Sequence, residues 1–196
     1  MSFEAGSNSA LSLLLRCEEL KGVERHTKVM TGSRHENSAE HSWHASLAGY
    51  LLRDYEPAGL DRAKAMSMLL LHELVEIEAG DHDVFGTGIE GRQEKEVEAA
   101  KVLFGASNSE VVVEIDQLWN EFEFGDTTEA KWCRAVDAFM PMLVNIADDG
   151  AAWKGFVSSR DTFLAKKSHI KDGSEALWQL FLEMTDYSVE RGWLEA

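Results

Sequence analysis

The segment Ala63–Asp81, AKAMSMLLLHELVEIEAGD, places three ionisable side chains inside an apolar run. Met66, Met68, Leu69, Leu70, Leu71, Leu74, Val75 and Ile77 cover most of a helix circumference, and a helix apolar nearly all round is a buried one. His72, Glu73 and Glu76 sit in the middle of it. Burying an unpaired carboxylate is costly, so such groups are neutralised, ion-paired or bound to a metal. His72 and Glu76, four residues apart, share a helix face. Glu73 is rotated by about 100° from His72 and is long enough to reach the same point. One imidazole and two carboxylates on an inward face form part of a divalent-metal ligand set. The same pattern fits an amphipathic helix with a solvated polar edge, and this helix alone does not choose between the two.

Two further segments carry matching residue types. In NSAEHSWH, His41 stands in the first turns of a helix, with His44 three residues on. That spacing allows two ligands from one face, or a cap and a surface residue. In KWCRAVDAFMPML, Asp137 precedes an apolar run. Its alternative role is as a partner for Arg134. Pro141 lacks the N–H that would bond the carbonyl of residue 137, which predicts a kink in this helix.

These residues need helices to position them, and the composition supplies helices. Ala, Leu, Glu and Lys are plentiful, and only two prolines occur. Asn37-Ser38-Ala39-Glu40, Ser107-Asn108-Ser109-Glu110 and Asp126-Thr127-Thr128-Glu129 each read as an N-cap with a Glu three residues later. The patterns predict helices from the first of these to about Tyr55, then over 61–79, 92–104, 109–124, 127–147 and about 174–191. Asp81–Gly91, rich in Gly and Asp, reads as a loop.

The order His41, then His72-Glu73, then a distant Asp137 resembles the HD-domain metal-dependent phosphohydrolases. More narrowly, NSAEHSWH, LLLHELVEIEAGD, LWNEFEFGDTTEAKW and RAVDAFMPML look like the 5'-deoxynucleotidase branch, the HD-domain-containing protein 2 type. The resemblance spans roughly Leu11 to Asn145, with four motifs in the family's order. It implies an all-α fold, the HD-domain helical bundle, built around a central buried metal-bearing helix. It also implies that His41, His72, Glu73 and Asp137 coordinate one divalent cation and that Glu76 is the acid/base group. Arg25, in GVERHTKV, falls where the family has an arginine that meets the substrate phosphate. Asp81 falls where it has an acid near the nucleoside. Trp43, two residues past His41, is placed at the pocket wall.

The family's namesake pair is His-Asp, whereas here it is His72-Glu73. Glu is one methylene longer, so a direct ligand bond requires the backbone or the metal to shift, or a water to intervene. Two imidazoles and two carboxylates suit Mn, Fe, Co, Ni or Zn alike. The implied reaction is water attack on phosphorus of a nucleoside 5'-monophosphate. The alternatives are a phosphoesterase for a triphosphate, cyclic or signalling nucleotide, and a non-catalytic nucleotide sensor that keeps the metal for binding only.

Nineteen basic and 35 acidic residues leave a net charge of −16. Such a chain repels a phosphate backbone, which disfavours nucleic acid and anionic membranes as partners. It admits a small phosphorylated substrate if a cation sits in the pocket. No run approaches the ~18 apolar residues of a membrane span, and no signal peptide is evident in Met1–Ala10. Two distant cysteines, Cys17 and Cys133, build no disulfide framework. A cytoplasmic protein of one domain, residues 1–196, is expected, its C-terminal helix packing on the domain or on a partner subunit. Trp178 and Leu182 lie off that helix's main apolar stripe and Trp193 lies beyond it, which suggests a homodimer. Gly86–Gly91 matches G-x-G-x-x-G literally, but no strand precedes it, so it reads as a loop near the site entrance. Asp81-His82-Asp83 reads as a solvated turn in preference to a second metal site.

Overall fold

The computed structural model describes residues 9–30, 32, 34–81, 91–105, 107–153 and 159–196. Predicted helices and observed ones agree closely: α2 is Ser38–Leu51, α5 Arg92–Phe104, α6 Glu110–Phe124, α7 Thr128–Ala147 and α10 Glu175–Glu190. Short helices α1 (Ala10–Arg16), α8 (Arg160–Lys167) and α9 (Ile170–Gly173) complete the bundle. The all-α helical bundle expected from the sequence is therefore the one observed.

Local chemistry sets the boundaries. The Asn37 side chain accepts the Glu40 N–H at 2.9 Å, and the Glu40 carboxylate accepts the Asn37 N–H at 3.2 Å, a complete capping box. At α7 the cap is Thr127, whose hydroxyl accepts the Ala130 N–H, one residue later than Asp126. At α6 the helix starts after Ser109 with no side-chain cap bond. Helix α7 continues through Pro141 to Ala147.

Two differences matter for the site. First, a small antiparallel hairpin, β1 (Glu24–Lys28) with β2 (His35–Asn37), precedes α2. It runs directly into the Asn37 cap, so Arg25 and the start of α2 are delivered together. Second, the helix predicted over 61–79 is not continuous. Helix α3 covers Arg62–Leu71, a 3-10 turn covers His72–Val75, and α4 covers Glu76–Ala79 before Gly80 at φ +72° ends it. A 3-10 turn eclipses residues three apart, so Glu73 and Glu76 come onto one line, where an α-helix would have aligned His72 with Glu76.

The turn falls where one core gives way to another. Met68 and Leu69 belong to a cluster with Trp132, Phe139, Met142 and Phe181. Leu74 and Val75 belong to a second, with Leu13, Leu103, Phe104 and Trp119. His72 and Glu73 lie at the seam. Helix α7 is the centre of the first cluster and packs against α2, α3, α6, α9 and α10. Its approach to α9 requires Gly173: a Cβ there would stand 2.3 Å from the Lys131 carbonyl oxygen.

The C-terminal tryptophans are not spare surface. Trp178 stacks on Phe181 at 5.6 Å, and both Trp178 and Trp193 pack against the core. Both are therefore partly covered within the chain, and Leu182 on α10 is half-buried. Among the described residues no helix is long and apolar enough to cross a membrane.

Candidate metal centre

Three elements bring four side chains to one point: His41 from α2, His72 and Glu73 from the 3-10 turn, and Asp137 from α7. Each offers one ligand atom, and these atoms all lie within 4.8 Å of one another. His41 Nε2 is 2.8 Å from Asp137 Oδ1 and 3.9 Å from Glu73 Oε1. His72 Nε2 is 3.1 Å from Glu73 Oε1 and 3.8 Å from Asp137 Oδ1. The two imidazoles stand at 64° with centroids 5.5 Å apart.

The outer ring nitrogens are held from behind. His72 Nδ1 donates to the Leu69 carbonyl at 2.8 Å. A carbonyl only accepts, so that nitrogen carries hydrogen and Nε2 is the one presented to the cluster. His41 Nδ1 faces Glu36 Oε2 at 3.6 Å. His72 Nε2 is buried and makes no hydrogen bond, although two carboxylates lie beside it. A buried orphan nitrogen calls for a partner, and a cation between the two imidazoles and the two carboxylates supplies one. The residues therefore fit a divalent metal, with a donor set that suits Mn to Zn.

Charge is balanced tightly. Burial opposes a charged imidazole at residue 72, yet Glu73 and Asp137 hold its pKa up to about 10. His41 is raised as well, by its bonds to Asp137 and Glu36, against burial and the Arg25 charge. Against burial, Arg25 and His72 hold Glu73 well below the ordinary carboxylate range. The two imidazoles do the same for Asp137. Glu76 goes the other way: burial and then the charge of Glu73 push it up to about 9. Four partners of opposite charge would lose this balance if a metal were absent and the imidazoles neutral, so protons stand in for the cation.

Around the cluster, Arg25 is half-buried and donates from Nη1 to Glu73 Oε2 at 2.7 Å. Its Nε is 3.6 Å from Glu36 Oε2, and its Nη1 is 3.7 Å from Asp81 Oδ1. Asp81 also accepts the His26 N–H at 3.3 Å. Glu76 is buried and accepts a hydrogen bond from Ser38 Oγ. A small cleft beside the centre is lined by Arg25, Thr27, Glu36, His41 and His44, with Met140, Pro141 and Val144 of α7.

The sequence-predicted residues are thus placed as follows. His41, His72, Glu73 and Asp137 converge, with Glu76, Arg25 and Asp81 around them. Trp43 does not join them: it is 61% exposed on the outer side of α2 and reaches the cleft only through its stack on His44. His44 lines the cleft and stays out of the cluster. Arg134, the alternative partner for Asp137, instead donates to the carbonyls of Phe122 and Gly125. His82, Asp83 and most of the Gly86–Gly91 motif lie outside the described residues. Glu36 and Ser38 are functional neighbours that sequence reasoning misses. Ser38 reads there as part of a helix start, and Glu36, in a three-residue strand, carries no periodic signal.

Residues 17–178 match the family model of the HD domain. The chain belongs to the HD-domain family. A predicted metal-dependent phosphohydrolase from Magnetospirillum magnetotacticum MS-1 is similar over nearly the whole length: 32% identity, 95% of this chain and 96% of that one, TM-score 0.87. A conserved hypothetical protein from Pyrococcus furiosus shares the HD-domain chain's fold at 19% identity, with 91% and 99% coverage and a TM-score of 0.66. No curated protein matches.

Proposed function

We propose that this HD-domain protein is a metal-dependent phosphohydrolase that removes phosphate from a nucleoside 5'-monophosphate. The observation that carries the reading is the convergence of His41, His72, Glu73 and Asp137, whose ligand atoms lie within 4.8 Å of one another, with Arg25 and Glu76 beside Glu73. The Magnetospirillum neighbour, described as a phosphohydrolase, supports the reaction class. The sequence resemblance to the 5'-deoxynucleotidase branch supports the substrate.

His41, His72, Glu73 and Asp137 would hold one divalent cation, which when bound offers Lewis acidity to a phosphoryl oxygen and to the attacking water. The chain's own residues do the rest. Arg25 offers a guanidinium to the phosphate, which carries about two negative charges near neutral pH. The Glu73 charge that holds the Glu76 pKa up would be offset by a bound cation. The ionised Glu76 would then accept the proton of the attacking water as the new P–O bond forms and return it to the leaving oxygen as the ester P–O bond breaks. Asp81, beside Arg25, offers a carboxylate to the hydroxyls of the sugar. The products are inorganic phosphate and the nucleoside.

Phosphate release from a panel of nucleoside mono-, di- and triphosphates and cyclic nucleotides, with added Mn or Co, tests the reading. Fastest turnover on a monophosphate, abolished by chelator, is expected. Binding of nucleotides with no turnover under any metal would reduce the protein to a sensor.

A further inference from the structure

We propose that Ser38 is a positioning residue for Glu76: its hydroxyl holds Oε2 of the carboxyl and turns Oε1 toward the ligand cluster as the oxygen that exchanges a proton with the attacking water. The proposal rests on the reading of Glu76 as the acid/base group.

Ser38 is the first residue of α2 and has no exposed surface. Its Oγ donates to Glu76 Oε2 across 38 positions of sequence, inside the protein. A serine at a helix start ordinarily serves the helix. This one does not. The cap is Asn37, which accepts the Glu40 N–H. The Ser38 N–H is spent on the Val23 carbonyl at 3.0 Å, tying α2 to the residue before β1. The hydroxyl is therefore free of any local duty, and its single hydrogen goes to Glu76.

Glu76 needs such a partner. It begins α4, a helix of four residues that follows a 3-10 turn, and three rotatable bonds separate its carboxyl from the backbone. Backbone geometry alone leaves the carboxyl plane unset, whereas site groups work only when held within about 0.5 Å of their productive position. The groups facing the carboxyl are Ser38, Glu73 and Arg25. Glu73 shares a side-chain hydrogen bond with it, but that bond depends on the very proton that Glu76 exchanges. Arg25 is engaged with Glu73. Ser38 is the neutral donor that fixes Oε2 without competing for the site, and it leaves the other oxygen to the side of Glu73.

A purely structural serine would merely satisfy a buried carboxyl, and the two roles separate experimentally. In the metal-loaded full chain, Ser38→Ala is expected to lower kcat roughly tenfold or more, the usual loss when a group behind a site residue is removed. KM, metal content and melting temperature should stay near the parent's. Ser38→Thr, which keeps the hydroxyl, should recover most of kcat. In a Glu76→Ala background, Ser38→Ala should cost nothing further. A crystal structure of the Ser38→Ala protein reads the geometry without turnover, and the Glu76 carboxyl should be rotated or spread over several orientations. Parental kcat in Ser38→Ala, additive losses in the double variant, or an unmoved carboxyl would overturn the role of Ser38 alone. Parental turnover in Glu76→Ala would overturn the acid/base reading, and this role with it.

Discussion

Glu73 divides its carboxylate between two cationic partners: Oε2 accepts from Arg25 Nη1 at 2.7 Å, while Oε1 lies 3.1 Å from His72 Nε2. One side chain thus couples the guanidinium proposed to meet the phosphate with the cluster proposed to hold the metal. The methylene by which Glu exceeds the family's Asp is what gives this carboxylate its reach. In Glu73→Asp, one oxygen can stay with the cluster only if Arg25 is released to Glu36 and Asp81, at 3.6 and 3.7 Å. Removing one partner of a buried pair costs about 3–5 kcal/mol when nothing replaces it. With two carboxylates remaining, a loss of about 1–2 kcal/mol is expected, seen as a fall of roughly 2–8 °C in melting temperature. Calorimetry and elemental analysis together check this: stability should fall while metal stays. A Glu73→Gln protein that holds metal as tightly as the parent would show that Glu73 is not a direct ligand.

Metal uptake should release protons. With its pKa held up to about 10, His72 is protonated at pH 7.5 in the metal-free protein, and a ligating imidazole must be neutral. At least one proton therefore leaves for each metal bound, and the apparent affinity should fall about tenfold for each pH unit below 7.5 per proton released. The same shift bears on metal-free stability. A folded pKa raised above 6.5 stabilises fully below that pH, and the stabilisation is lost as pH rises through about 10. Titration calorimetry in buffers of different ionisation enthalpy reads the proton count. A binding heat independent of buffer would contradict it.

The candidate site was partly legible in the sequence, for physical reasons that differ between residues. His72, Glu73 and Glu76 stand out because ionisable groups inside an apolar run have few explanations. The capping box at Asn37 and Glu40 places α2, and with it His41, because its two hydrogen bonds depend on local spacing alone. Arg25 and Asp81 carry no such pattern and enter only through the family resemblance. The 3-10 turn at His72–Val75 is invisible to periodicity, since four residues of tighter winding do not disturb an apolar pattern. What forces it is tertiary: the chain must leave one core cluster for another at that point. Glu36 and Ser38 become significant only when the hairpin is folded against α4. The packing of Trp178 and Trp193 against the core is hidden for the same reason, because it depends on how α10 and the C-terminal turn lie on the first cluster.

Glu123 offers a test of burial electrostatics beside the ligand set, where it also feels the charges of Arg92, His72 and Asp137. Burial and then the charge of Glu96 push its pKa up to about 7, and Glu96 is itself paired with Arg92 at 2.6 Å. A carboxyl whose folded pKa exceeds its unfolded value of 4.5 binds its proton more tightly when folded. Stability is then greatest at low pH and declines as pH rises through the interval from 4.5 to about 7. Glu123→Gln removes that penalty. Discounted for the part of the side chain that solvent reaches, the gain at pH 8 should be about 2 kcal/mol, or roughly 4–8 °C in melting temperature. At pH 5 the gain should shrink to about a quarter of that, and it should vanish below pH 4.5. A gain equal at both pH values would assign the effect to packing.

Exposed apolar side chains lie on several helices, and those on α2 form a stripe that predicts one way the chain self-associates. Trp43, Leu47, Tyr50 and Leu51 are all exposed, Leu51 by 67%. Their spacing of four, three and one places them along one stripe, opposite the buried face of Ala45, Ala48 and His41. An apolar patch of this kind on a chain carrying −16 charges favours an occupant that brings little further charge to the contact. A second copy meeting the first across a two-fold axis does so, because the same stripe is then set against itself. Besides the α10 surface expected from the sequence, α2 offers a second face for a homodimer, where association would also brace the helix that carries His41. At tens of micromolar the protein should scatter light as a dimer. Leu47→Glu combined with Tyr50→Glu should scatter as a monomer with the parent's helical circular dichroism, since both side chains point away from the core. Trp43 is left in place because it stacks on His44 at the cleft. A parent protein that stays monomeric, or a doubly charged variant that still dimerises, would take the interface off this face.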